Sequence, residues 1–223
     1  MCSNLLKKKK ELIRRIENAK AQGGFCHDVT LVAVTKYHTI EETNNAIRAG
    51  IHDIGENHVQ SLLEKEPKLF PCNRHFIGHL QTNKVKQLLT IDNLTLIQSV
   101  DSIKLAKEID TRAKRLNKTV DVLIQINIAN EETKFGIDLS SLPSLLSDIS
   151  YLDHIKVKGL MAIMPIQARP DYYQKMYALF EDSKVLETDN ISMQILSMGM
   201  SSDFEQAVRY GSNMIRIGSY LFS

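Results

Sequence analysis

The hydrophobic positions of this chain change period repeatedly. Near the start, Leu5, Leu6, Leu12, Ile13 and Ile16 recur at helical spacing among lysines and arginines, which predicts an amphipathic helix over residues 1–22. After it, apolar runs alternate with helical patterns. VTLVAVTK (29–36) reads as a strand. TIEETNNAIRAG (39–50) reads as a helix with a Thr39 cap, an acidic first turn and a closing Gly50. IHDIGEN (51–57), RHFIGHL (74–80) and LTLIQSV (94–100) supply three more strands, with helices over 58–66, 82–89 and 102–117. VDVLIQINI (120–128) is the most evident strand, and a loop (129–139) and a helical LPSLLSDISYL (142–152) follow it. IKVKGLMAI (155–163), ISMQILSMGM (191–200) and NMIRIGSYLF (213–222) complete the strands, interleaved with helices over 171–186 and 202–211.

Strands alternating with helices imply a parallel sheet. Eight strands suffice to close a barrel, an architecture of typically ~250 residues. The expected fold is α/β: a single (β/α)8 TIM barrel over residues 1–223 with one extra N-terminal helix. An open, doubly wound sheet is the alternative, but it normally has fewer strands and a switch point. No linker or low-complexity tract marks a second domain.

Composition changes this picture little. Hydrophobic residues make up 43% of the chain and charged residues 24%, enough for a core without disulfides or a structural metal. A net charge of +2 offers no overall field for nucleic acid or an anionic membrane. The lysine run 7–10 lacks aromatic interleaving and reads as the solvated face of the first helix. Cys2, Cys26 and Cys72 form no CxxC, so neither a disulfide framework nor a zinc site is expected, and a reducing cytoplasm is the natural compartment. His27, His52, His58, His75 and His154 show no ligand spacing and read as surface or strand-edge residues. There is no secretory signal and no run able to span a bilayer.

In a (β/α)8 barrel the chemistry sits at the C-terminal strand ends. Those ends present Lys36, Glu56 and Asn57, Gly78 and His79, Gln98 and Ser99, Asn127, Met164, Met198 to Ser201, and Arg216 to Ser219. MGMSSD (198–203) and RIGS (216–219) each place a glycine beside hydroxyls, on the two strands whose loops frequently bind phosphate in this fold. Lys36 is then either a point-charge phosphate ligand or an amine that forms a Schiff base, activated by desolvation and nearby cations such as Arg216. A pyridoxal phosphate site needs a lysine, a phosphate nest and a partner for the ring nitrogen. Arg216 suits the last role as a pure donor, because arginine is not deprotonated in proteins. A barrel enzyme acting on a phosphorylated sugar remains the competing reading.

AVTKYHT, IGENHVQ, HFIGHLQTNK, IQSVDS, INIANEETKFG, GLMAIMP, LSMGMSSDFEQAV and GSNMIRIGSYLF occur in an order and spacing that resemble the pyridoxal phosphate homeostasis proteins, the YggS/PROSC-type family. That family is itself similar to the barrel domain of alanine racemase. The resemblance implies pyridoxal 5'-phosphate held as a Schiff base on Lys36, with Ser201, Gly218 and Ser219 at the phosphate and Arg216 facing the pyridine nitrogen. It further implies that Asn57, His79, Met198 and Met200 line the pocket. The implied role is intracellular vitamin B6 homeostasis, as a monomeric cytoplasmic carrier or regulator without robust catalysis and with apo-enzymes that use this cofactor as partners. No metal, nucleic acid or membrane is implied. The alternative, an amino-acid racemase, needs a second base on the far face of the cofactor. In the two-domain racemases that base is a tyrosine of the extra domain, which is missing here because the chain ends after the eighth strand; Tyr37 and His79 are the possible substitutes. Three departures from the family stand out: Thr35 in place of Ser, Asn213 in place of Thr, and an end at LFS where relatives continue with Gly and a short basic tail.

Overall fold

Each apolar run becomes one strand of a closed parallel barrel whose neighbours follow chain order. The strands are β1 (Thr30–Val34), β2 (Asp53–Glu56), β3 (Asn73–Phe76), β4 (Leu94–Val100), β5 (Val120–Ile126), β6 (Ile155–Ala162), β7 (Ile191–Ser197) and β8 (Met214–Ile217). This computed structural model describes residues 2–131 and 133–223; Met1, Glu132 and the side chains of Cys2 and Ser3 lie outside the described residues. Closure comes from β8 pairing back onto β1, with Val32 opposite Arg216 and Ala33 opposite Ile217. The helices are α1 (Cys2–Gly23), α2 (Ile40–Arg48), α3 (Val59–Lys65), α4 (Val85–Leu88), α5 (Ile103–Arg115), α6 (Leu142–Ile149), α7 (Pro170–Asp182), α8 (Phe204–Arg209) and α9 (Ser219–Phe222).

Several strands are shorter than their apolar runs, because the last residues leave the ladder and feed the loops of the barrel mouth. The largest difference is at the end of the eighth run. SYLF, expected as strand, is the helical turn α9, whose Leu221 and Phe222 amides donate to the Gly218 carbonyl. Beyond Gly218, which faces Val34, the neighbouring strand β1 has ended, so there is no ladder left to join. The expected helix over 171–186 is α7 followed by a 3-10 turn, Ser183–Leu186. Thr39 caps α2 in a full capping box with Glu42, as its spacing foretold.

Alternation sorts the strand residues between two cores. Outward positions such as Ile124, Val157 and Leu160 pack against Ile109, Tyr173, Met176 and Phe180 of the helices. Inward, Val32, Leu96, Leu123, Met161 and Met214 form one apolar layer. Two residues beyond Leu96, Leu123 and Met214 stand Gln98, Gln125 and Arg216, and two beyond Ile195, which packs on the same layer, stands Ser197, all four buried. The barrel interior is therefore part apolar and part polar.

Helix α1 lays Leu5, Leu12, Ile16 and Ala19 against Phe204, Val208, Ile215 and Leu221. Arg15 reinforces this docking, pairing with Glu205 at 2.5 Å and lying 4.6 Å from the centre of the Phe204 ring. The lysine run is not solely a solvated face. Lys9 donates to the carbonyls of Ala49 (3.1 Å) and Gly50 (2.8 Å), satisfying the C-terminal end of α2. No helix among the described residues is long and apolar enough to cross a membrane. Because Leu12 is wholly enclosed, Leu12→Ala is expected to lower stability by about 2–5 kcal/mol in urea denaturation. A loss near zero would show that α1 does not share the core.

Candidate functional site

Lys36 follows β1 after a single intervening residue. It has the parity of inward-facing Val32, so the alternation carries it to the inner side of the mouth. Tyr37 then turns the chain away with a φ of 68°. Thr35, directly before the lysine, is clamped from outside the barrel wall. Its hydroxyl donates to Glu56 (2.9 Å), and Lys65 of α3 donates to its carbonyl (2.8 Å) while pairing with Glu56 at 2.5 Å. Glu56 is fully enclosed, and its second oxygen has no hydrogen-bond partner. The peptide leading into Lys36 is thus held by a buried ion pair. Lys65 is a residue that the sequence did not single out, since a lysine in VQSLLEK has the pattern of an ordinary helix surface.

Across the β1–β8 seam, two loops converge. Gly199 takes a φ of 97°, and a Cβ there would lie 2.6 Å from that of Ala207, so only glycine fits. Asp203 caps this turn: one carboxylate oxygen accepts from the Met200 amide (2.7 Å) and the other from the Tyr173 hydroxyl (2.8 Å). Burial, then Asp203, pushes the Tyr173 phenol well above its ordinary value. The hydroxyl oxygen of Ser201 accepts from the backbone N–H groups of Gly218 (3.3 Å) and Tyr220 (3.4 Å). Convergent backbone donors beside a glycine and hydroxyls make a cradle that suits an anion. It abuts β1, since a Cβ on Gly218 would stand 3.3 Å from that of Val34.

Arg216 is 4% exposed. It donates from Nη1 to Ser197 Oγ (2.5 Å) and from Nη2 to the Ala162 carbonyl (2.8 Å). Burial pushes its guanidinium down to about 10, against the opposing pull of Asp203. Ser197 continues to Gln98 (2.7 Å), Gln98 to His75 (3.1 Å) and His75 to Asp53 (3.0 Å). His75, expected at the surface or a strand edge, is instead 2% exposed inside the barrel. The correction has a simple cause: on β3 its parity points inward, which an isolated histidine in a sequence does not reveal. Burial opposes ionisation of Asp53, but donation from His75 and Asn73 outweighs it and holds the carboxyl below the usual range.

The remaining expected residues divide. Asn57 lies at the mouth with a buried, unpartnered Oδ1. Gly78 packs against it so closely that a Cβ would sit 2.1 Å from the Asn57 carbonyl oxygen. His79 stacks on Phe135 at 3.8 Å and approaches Asp101 at 3.4 Å. Burial pushes the Asp101 carboxyl up, with His79 pulling the other way. A cleft of about 460 Å³ opens beside this pair. Ser219 and Met200 are exposed, whereas Met198 is fully buried in the outer core with the helices. No group of His, Cys, Asp and Glu able to hold a metal occurs among the described residues.

The class of protein follows from fold and sequence together. The family model described as "Alanine racemase, N-terminal domain" matches residues 11–223. The pyridoxal phosphate homeostasis protein of Aquifex aeolicus is 36% identical, over 98% of this chain and 97% of its own length. That of Helicobacter pylori is 38% identical over 95% of each chain. The solved structure of PipY from Synechococcus elongatus with PLP bound superposes with a TM-score of 0.80 at 28% identity, covering 98% of this chain and all of PipY. The chain belongs to the pyridoxal phosphate homeostasis protein family.

Removing the ammonium beside Glu56, as in Lys65→Met, is expected to cost about 3–5 kcal/mol, and adding Glu56→Gln should recover part of that loss in urea denaturation. A loss in the double variant equal to the sum of the Lys65→Met and Glu56→Gln losses would show that the pair is not coupled. Asp53 gives a pH test. Its folded-state pKa is depressed, so its contribution is present above the unfolded value of ~3.9 and fades as pH falls through the lower folded value. Wild type should therefore lose more stability than Asp53→Asn over that acidic window.

Proposed function

We propose that this chain holds pyridoxal 5'-phosphate at the barrel mouth and serves vitamin B6 homeostasis inside the cell, keeping or passing on the cofactor without robust catalysis. The observation that carries this reading is the convergence of the Gly218 and Tyr220 amides on Ser201, beside the strand that ends in Lys36. When bound, the cofactor supplies an aldehyde that condenses with a primary amine, forming a C=N bond and releasing water. Lys36 provides that amine. Ser201, Gly218 and Ser219 would hold the phosphate, and Arg216 would present a donor to the ring nitrogen. Asn57, with an unused buried acceptor, and His79 and Met200 flank the ring and its exit, while Met198 backs the site from the core.

A guanidinium opposite the ring nitrogen supports a holding role. It has no proton to give up, so it does not keep that nitrogen protonated, and the ring is a weaker electron sink than it would be beside a carboxylate. The relatives named as homeostasis proteins support the same reading. Partners would be the cofactor itself and apo-enzymes that accept it. A racemase reading would rest on His79, which with Asp101 is a base–acid pair at the mouth.

Purified protein incubated with pyridoxal phosphate is expected to develop a near-visible band that borohydride traps on Lys36, and Lys36→Ala should abolish both. A chain that stays colourless would sink the assignment. Rapid, saturable loss of optical rotation with L- or D-alanine would replace the carrier reading with the racemase.

A further inference from the structure

The interior of a (β/α)8 barrel is ordinarily filled by branched apolar side chains. Here Val32, Leu96, Leu123, Met161 and Met214 follow that rule, but other inward positions do not. A line of polar groups crosses the interior from β8 and β7 to the opposite wall, β4, β3 and β2. Arg216, Ser197, Gln98 and His75 are each no more than 4% exposed. Enclosing such groups costs free energy that packed leucines would not, so filling space does not account for them.

The groups themselves dictate the direction of each hydrogen bond. Arg216 has only donors, so Ser197 Oγ accepts from Nη1, and the serine proton passes on to Gln98 Oε1. The amide is thereby oriented with Nε2 towards His75 Nδ1, which carries no proton. The proton of His75 lies on Nε2 and is donated to Asp53, which also accepts from Asn73. Every donor points from the guanidinium towards the carboxylate. Reversing the amide in the middle would leave the serine proton without its acceptor. With Nη2 tied to Ala162 and Nη1 to Ser197, the guanidinium plane is set, and its remaining N–H groups have one direction to face.

We propose that Gln98 and His75 are positioning residues which, through Ser197, hold Arg216 in the orientation that presents a donor to the ring nitrogen of bound pyridoxal phosphate, a role that rests on the functional reading above. A guanidinium aimed at the ring nitrogen keeps a proton off it, whereas a misdirected one does not, so the chromophore reports the alignment.

Two measurements test this. In cofactor-free protein, 15N magnetic resonance of the His75 ring should show a protonated Nε2 and a bare Nδ1. In protein loaded with pyridoxal phosphate, Gln98→Met keeps the side-chain length but removes both amide hydrogen bonds. It should release the cofactor about tenfold faster and move the pH profile of the absorbance band by about one unit or more. Gln98→Glu keeps the acceptor for Ser197 but offers no N–H to His75 Nδ1, so it should recover the wild-type release rate only in part. If Gln98→Met does not fold, Ser197→Ala breaks the same link with a smaller lesion and is read in the same way. A His75 proton on Nδ1, or a folded variant with unchanged release and profile, overturns the proposal and leaves the cofactor assignment standing. A wild-type chain that takes up no pyridoxal phosphate overturns both.

Discussion

A closed barrel has no room for solvent in its centre, so every inward polar side chain must find its partner among the others. That constraint organises this molecule. Part of the interior obeys it with apolar residues around Leu123 and Met161, and the rest obeys it by linking Arg216 across the barrel to Asp53. The guanidinium comes to the mouth already held at two of its nitrogens. A surface arginine would reach the same place only by giving up side-chain freedom, which costs up to about 2 kcal/mol.

The same economy of motion shapes the lysine. Its own side chain is half-buried, yet the peptide before it is clamped by Thr35, Glu56 and Lys65, and the left-handed Tyr37 after it removes any continuation of the strand. The clamp lies outside the barrel wall and the polar line inside it, so the peptide before Lys36 and the Arg216 guanidinium are held by separate networks. Between them, the turns at Gly199 and Gly218 bring backbone N–H groups to the seam where β8 meets β1. Barrel closure therefore does more than complete the sheet, because it sets the turn at Gly218 against Val34, near the end of the strand that leads to Lys36.

Much of this was legible in the order of residues. Eight apolar runs separated by helical patterns specify strand number and connection, because period two and period 3.6 bury different faces. Strand ends of a barrel concentrate chemistry, so Lys36, Asn57, His79, Ser201, Arg216 and Gly218 could be named from position. Boundaries were less legible. SYLF has the composition of a strand and becomes a helical turn, since the neighbour that would have paired with it has already ended. Lys9 had the pattern of a solvated helix face and instead closes α2, because its partner carbonyls lie some forty residues further along the chain.

What the sequence by itself determined is the alternation, the glycines and hydroxyls of the last two loops, and the lysine at the end of the first strand. These are local properties, set by the backbone preferences of neighbouring residues. What only the tertiary structure decided is which polar side chains meet. His75 is an unremarkable histidine and Ser197 an unremarkable serine until closure turns both inward and joins them through Gln98. Lys65 is an ordinary helix lysine until α3 packs it onto Glu56. Hydrogen bonds between residues about 20 to 100 positions apart leave no periodic trace along a chain. They exist because a dry interior compels buried polar groups to pair.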